Sequence, residues 1–579
     1  MIYGEEQKEV DITKGLWLTD ETDSLPEGYA INLVNMEVNL NGLAEIRPNF
    51  LPLIANAANP FSTGPVYTGS PPNPTGYGIL SSSVQTFDLA PVTPSGDSPA
   101  FVASIYTTSG AVATRWIWIT NRGTVYNALV TSPTVSFGTV TFSMCQYRDR
   151  HYGLSGGLYS AGVADVYRYA FGAGTVTPTL VVSLPALCKN LVTYKDRIFA
   201  FAAQSSRVYY TELATVGGYP DNWNAGANFF DLPDTGAIIQ NVFSLNDRLY
   251  IFTNRGLYNL FAEGAPSTWQ TRLVNTDIKI YDKAHVALVD GVFMFTNTKT
   301  VYAYNGGSSI VEVGEPIKYA MNARVRDFDI PISSSVQTYS GPTDFRILPW
   351  DQGFLLTLGY HSTTNTQVRA PKYYYYNGRS WSEVRFDTDL ASSYQHYELA
   401  GVNVGKSKVC NIASTTEPAK YSDVFLEIRS DGTSTYSFAL KAIRRDNSDI
   451  DLANHEFQCA MVTRDTDLND GVKIARIKEA NCHTKSTLTG FTISIYVDGA
   501  FSNSYAPVLA ASGGTYKHRV PITIQRGTSA LLTFLATFNK SSGTGGDQSV
   551  YAWPSLKINR LLFKINSDTR NQPTQETLS

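Results

Sequence analysis

The sequence predicts an all-β fold, and two observations carry that expectation. The first is composition: among 579 residues there are 35 Tyr, 28 Phe and 44 Gly, and few stretches show helical periodicity. The second is a repeated three-stranded meander. From Val242 to Tyr258, apolar runs of strand length are broken at Asn246-Asp247-Arg248 and at Asn254-Arg255-Gly256, residue types that favour turns. His285 to Tyr304 repeats the scheme, with breaks at Asp290-Gly291 and from Asn297 to Thr300.

Further copies carry the same punctuation. Trp116 to Tyr126 holds the Thr-Asn-Arg-Gly turn found at Thr253 to Gly256, and Leu191 to Phe201 repeats the Asp-Arg turn of Asp247-Arg248. Cys145 to Tyr169 is a looser copy, and Ile347 to Leu358 with Lys372 to Trp381 is a sixth. Phe201, Phe252 and Phe295 hold matching places at offsets of 51 and 43 residues. Strands recurring with a period of about 40–50 residues are the mark of propeller blades. The expectation is a β-propeller of about six blades over residues 101–430.

The chain-wide numbers bound the function. With 43% hydrophobic and 17% charged residues the chain is globular and poor in charge. Its net charge of −4 and lack of a long basic run argue against tight electrostatic binding of nucleic acid. The first thirty residues hold eight acids and two bases, an acidic arm. Five scattered cysteines (Cys145, Cys188, Cys410, Cys459, Cys482) fit unpaired thiols in a reducing cytoplasm. The start, Met1-Ile-Tyr-Gly-Glu-Glu, lacks the features of a secretion signal, and no apolar run is long enough to span a membrane.

Taken in order, the arm leads to Leu25-Pro-Glu-Gly-Tyr-Ala, Asn35, the turn Asn41-Gly42 and Arg47-Pro48. Asn-Gly is the signature of a type I′ turn, so Val34 to Leu40 is expected to pair with Leu43 to Arg47. This opening resembles that of the tail tubular, or nozzle, proteins of short-tailed bacteriophages, virion proteins that combine such a hairpin with a propeller. The phrase Val208-Tyr-Tyr-Thr-Glu-Leu followed by Pro220-Asp-Asn-Trp223 strengthens the resemblance, which covers residues 11–390. In those proteins the phrase joins one blade to the next.

Residues 51–100 form a Pro-, Gly- and Ser-rich loop, expected to pack on a partner. After residue 430 the blade punctuation stops and about seven longer strands follow, which predicts a β-sandwich-like domain over 431–567. Val472 to Ile477 and Leu556 to Phe563 resemble the strands that follow the blades in the phage proteins. Residues 568–579 are a polar tail.

No catalytic, cofactor-binding or metal-binding residue stands out. Asp196, Asp247 and Asp290 recur at equivalent turns, where Asp bonds its own backbone and tolerates positive φ, so turn chemistry explains them. Ser430-Asp-Gly-Thr433 lacks the spacing and the Trp of a sialidase repeat, and nothing selects the carboxylate pair that glycoside hydrolysis needs. His455, Cys459, Cys482 and His483 lack zinc spacing. Tyr373 to Tyr376 with Trp381 could stack on a sugar, yet alternation on a strand puts at least one pair into blade packing. Glycine pairs without a following Lys-Ser/Thr make no phosphate loop.

The resemblance implies a non-enzymatic virion subunit, made in the host cytoplasm and residing in the tail. Copies would assemble as a homo-oligomeric ring, six in that family, below the portal and adaptor and in contact with tail fibres. Genomic DNA would pass through it with transient, non-specific contact. A receptor- or glycan-binding propeller and, behind it, a propeller glycosidase are the alternatives.

Overall fold

The structure, a computed structural model, describes residues 176–282 and 285–322 apart from 308, and elsewhere between residues 6 and 567 the strands and connections named below. The Cys410, His455 and Ser430-to-Thr433 assignments lie wholly or partly outside the described residues, as do most of the 51–100 loop and the polar tail. Strand accounts for 57% and helix for 5%, which makes the fold all-β.

The repeated meanders are blades of a β-propeller. Seven four-stranded antiparallel units, blades I to VII, comprise residues 99–136, 140–184, 188–231, 239–275, 286–312, 345–384 and 395–442, the last completed by Phe50–Pro52. First strands meet in succession from blade I to IV and from V to VII. Phe252 of blade IV and Phe293 of blade V join the two runs, with ring centroids 5.2 Å apart. Gln395–Val402 of blade VII lies against Pro99–Thr107 of blade I, which closes the ring.

Two boundaries differ from the sequence reading. Thr435–Ala442, expected in the sandwich, is the third strand of blade VII, so the propeller runs to residue 442. Its outer neighbour is Phe50–Pro52, with Ala442 opposite Phe50 and Leu440 opposite Pro52. Seven blades therefore replace about six, because a blade assembled from both ends of the chain carries no local repeat. Outer strands were also missed: Gln270–Asn275 and Val311–Glu312 are largely exposed and polar, so they show no apolar run.

Turn residues set the blade geometry. Lys195-Asp196 (φ 48° and 56°), Asn246-Asp247 (48° and 57°) and Asp290-Gly291 (47° and 81°) each have positive φ at both central positions. That is the type I′ geometry whose twist matches antiparallel strands. Asn and Asp adopt it because their short side chains bond locally. The second strands of blades III to V carry fully buried rings, Phe199 and Phe201, Phe252, and Phe293, all under 2% exposed. Burying each ring contributes about 1.5–3 kcal/mol.

Residues 6–46 do not form a separate arm. Gly15–Leu16 and Tyr29–Val34 add in parallel to Trp381–Val384, the last strand of blade VI. Tyr29–Val34 then pairs antiparallel with Phe457–Thr463. One eleven-stranded sheet thus runs from blade VI into the C-terminal region, ending Phe457–Thr463, Ser529–Phe538, Thr492–Val497 and Ala500–Tyr505. Gly15 is obligatory at the junction, since its φ is 89° and a Cβ there would stand 2.6 Å from the Cβ of Ser380.

The entry hairpin forms as expected, Met36–Val38 against Ala44–Ile46, but with a different turn. Among the described residues of the turn only Gly42 has positive φ; its N–H donates to Asn39 O, and Asn39 Oδ1 accepts from the N–H groups of Asn41 and Leu43. The result is a three-residue loop ending in a left-handed Gly, stabilised by the Asn39 side chain rather than by Asn41. The hairpin joins a second sheet made of Gly514–Gly527, Ala475–Ser486 and Leu556–Ser567, and Glu6–Glu9 pairs with the same edge of Leu556–Ser567 further along. The two sheets enclose one core: Met36, Val38 and Ala44 of the second share it with Cys459, Met461, Ile493, Ile495, Leu532 and Phe534 of the first. The C-terminal domain is a sandwich completed by the N-terminus.

Two outcomes check this account. Phe252→Ala should lower the unfolding free energy by about 3–5 kcal/mol, measured by denaturant titration, because the ring packs against both Phe243 and Phe293. Gly15→Val, which combines a positive φ with a clash, should cost roughly 2–4 kcal/mol in the same assay; an unchanged midpoint would mean that the strand does not dock on blade VI.

Candidate functional site

Two of the three turn aspartates, Asp196 and Asp247, are engaged by a neighbouring blade. Tyr147, the last residue of a first strand in blade II, donates its hydroxyl to Asp196 Oδ1 in blade III at 3.0 Å. Tyr194, in the equivalent place in blade III, donates to the backbone carbonyl of Asp247 in blade IV, and Lys195 Nζ stands 3.2 Å from Asp247 Oδ1. Tyrosines in equivalent places therefore latch II to III through a carboxylate and III to IV through a backbone carbonyl. Turn chemistry accounts for these carboxylates, and the latch adds a second structural role that spacing alone did not reveal.

The aromatic segments are also packed. Tyr373, Tyr374, Tyr375, Tyr376 and Trp381 are all buried, so neither face of that strand offers a stacking platform. Trp381 Nε1 donates to Val313 O at 2.6 Å, joining blade VI to the end of blade V. The loop at 211–228 connects the third and outer strands of blade III, not one blade to the next as the resemblance implied. It folds back over blade II. Tyr219 lies between the Arg150 and Arg168 guanidinium groups, 5.3 and 5.1 Å from its ring centre. Asp221 accepts from Tyr152 Oη at 2.7 Å and pairs with Arg168, while Trp223 is buried in the core between the two blades.

The described thiols are chemically quiet. Burial pushes Cys145 up to about 12 and raises Cys188 strongly, so neither is a thiolate at neutral pH. Cys459 is fully buried, with its Sγ 3.5 Å from Asn35 O, in a different sheet from Cys482 and His483. No group of three metal-ligating residues occurs among the described residues, and no helix among them is long and apolar enough to cross a membrane.

What remains is the outside of the sandwich. On its first sheet, burial alternates strictly: Ile493, Ile495, Val497, Leu532 and Phe534 face the core, and the residues between them face out. The outward rows are Ala460, Leu535 and Thr492; Val462, Thr533 and Ser494; and Leu531, Tyr496 and Phe501. None is charged, and Leu535 and Phe501 are 47% and 58% exposed. An uncharged sheet face with exposed large apolar residues is of the kind that protein contacts use. Alternation in Thr492 to Val497 was legible in the sequence; which side would stay uncovered depends on the sheet from the other end of the chain.

No family model matches the sequence, and no curated protein matches it. Solved structures do. The WD40 domain of SCAP from fission yeast aligns at TM-score 0.30 with 10% identity, covering 60% of this chain and 85% of that one. The SapL1 lectin in complex with alpha methyl fucoside aligns at 0.25 with 14% identity over 49% and 94%. An exo-β-1,3-galactanase from Phanerochaete chrysosporium aligns at 0.22 with 8% identity over 81% and 99%. At these scores the likenesses carry no argument about function.

Arg168→Ala should remove both the ion pair and the stacking on Tyr219. The expected result is about 1–3 kcal/mol of destabilisation together with faster proteolysis within 211–228; cleavage at the wild-type rate would refute the docking of this loop.

Proposed function

We propose that the chain is a structural subunit of a short-tailed phage tail of the nozzle type. Several copies, six by the family resemblance, form a ring below the portal and adaptor, bear contacts to tail fibres, and surround the path of the ejected genome. The observation that carries this reading is the uncharged outer face at Ala460, Val462, Tyr496, Phe501, Leu531 and Leu535, a surface suited to a second copy of the chain. The sequence resemblance of the opening hairpin supports it. So does the use of that hairpin as a strand pair of the sandwich, which makes the N-terminal segment part of a rigid body rather than a free tether. Turn aspartates and aromatic clusters that serve blade packing fit a building block.

The decisive measurement is particle mass and shape by light scattering and negative-stain imaging, for the protein alone and mixed with its virion's portal and adaptor proteins. A ring, formed alone or on the adaptor complex, is the expected result. Leu535→Glu combined with Phe501→Glu should abolish the ring while leaving the circular dichroism spectrum unchanged, because both positions are exposed in the single chain. A stable monomer or trimer that ignores the portal complex and binds host-cell glycan would overturn the proposal in favour of a receptor-binding propeller.

A further inference from the structure

The chain holds three Asn-Gly pairs, Asn41-Gly42, Asn305-Gly306 and Asn377-Gly378, and all three lie among the described residues. In such a pair the side-chain amide is open to attack by the backbone nitrogen of the next residue, because glycine places no Cβ beside that nitrogen. We propose that Asn305 is a self-modifying residue, which cyclises onto the nitrogen of Gly306, loses ammonia and becomes a mixture of aspartate and isoaspartate, while the fold protects Asn41 and Asn377.

The three pairs share a sequence and differ in surroundings. Asn305 is exposed in the loop between the third and outer strands of blade V. Its Oδ1 accepts from the Gly307 N–H at 3.0 Å, which makes an Asx turn. That bond folds the amide carbon back over the peptide nitrogen in between, which belongs to Gly306. The Gly306 N–H has no hydrogen-bond partner among the described residues, so its proton is open to hydroxide.

Asn377 makes the same turn, with Oδ1 accepting from the Arg379 N–H at 3.1 Å, but it is only 7% exposed. Its Nδ2, the group that would leave, donates to Glu37 Oε2 at 3.1 Å and to Val38 O at 2.7 Å. Loss of ammonia there would break two bonds that hold the entry hairpin on blade VI. Asn41 is exposed, yet the turn oxygen in its loop belongs to Asn39, and the Gly42 N–H is tied to Asn39 O at 2.9 Å. Only Asn305 combines an exposed amide, an Asx turn and an untied glycine N–H.

The chemistry needs water and hydroxide alone. Hydroxide removes the Gly306 proton, and the nitrogen forms a bond to Asn305 Cγ. Negative charge moves onto Oδ1, where the Gly307 N–H already points, as a donor does in an oxyanion hole. The Cγ–Nδ2 bond then breaks, and the leaving amide takes a proton from water, departs as ammonia and restores hydroxide. Water opens the succinimide at either carbonyl: cleavage of the new Cγ–N bond gives aspartate, and cleavage of the backbone C–N bond gives isoaspartate. Nothing is oxidised or reduced. Both products add a negative charge, and isoaspartate adds a methylene to the main chain. The change falls where blade V meets blade IV, since Gly306 has φ 88° and a Cβ there would stand 3.0 Å from Tyr250 Oη. The reaction requires neither a ring nor a partner, so it stands or falls apart from the tail reading.

The test incubates the full chain at mildly alkaline pH and follows each Asn-Gly peptide by mass spectrometry, with isoaspartate detected by enzymatic methylation. Asn305 should react about tenfold or more faster than Asn41 and Asn377, give both products, and speed up as pH rises. In concentrated urea the three pairs should react at comparable rates, because the selectivity comes from the fold. Gly307→Pro removes the N–H that bonds Oδ1 and should slow Asn305 by about tenfold or more; the comparison of the three wild-type sites decides the matter if this variant does not fold. An intact Asn305 in chains where Asn41 or Asn377 has reacted overturns the proposal, as does the same order of rates in urea.

Discussion

Backbone pairing between the two ends of the chain is the constraint on which the rest of this structure depends. A propeller blade and a sandwich sheet both leave unpaired N–H and C=O groups at an edge, and an uncovered edge invites pairing with other chains. Here the first fifty-two residues cover two such edges. Phe50–Pro52 completes blade VII, and Ala44–Ile46 and Glu6–Glu9 line Leu556–Ser567. Between them, Gly15–Leu16 and Tyr29–Val34 weld blade VI to the sandwich. Proline at position 52 suits a strand whose outer side pairs with nothing among the described residues.

The consequence is a protein whose two bodies share one hydrophobic core. Trp381, Tyr374 and Phe354 of blade VI belong to the same apolar cluster as Met36, Met461 and Phe534 of the sandwich. Propeller and sandwich are thereby held at a set angle, which suits a building block whose contact faces must present themselves in a defined geometry. Inter-blade latches extend this rigidity: Tyr147 to Asp196, Tyr194 to Asp247, and the Tyr219 and Asp221 clamp on blade II all join one blade to the next by directional bonds. Such contacts explain why polar and aromatic residues that look like sites in the sequence are spent on packing.

The outer face of the first sheet is uncharged in its central rows, with Leu535 and Phe501 exposed. Such a face fits contact with a copy of the chain. It follows from period-two alternation on a sheet whose other side meets the core.

The sequence by itself determined the elements. The Asn-Asp, Lys-Asp and Asp-Gly pairs specify type I′ hairpins because few other residues tolerate positive φ, and the spacing of Phe201, Phe252 and Phe295 specifies matching second strands. Strict alternation in Thr492 to Val497 likewise announces a half-buried strand. The tertiary structure alone decided what is closed by what. Pairing of Phe50 with Ala442, or of Glu9 with Leu562, joins residues hundreds of positions apart, and neither partner carries a local mark of the other.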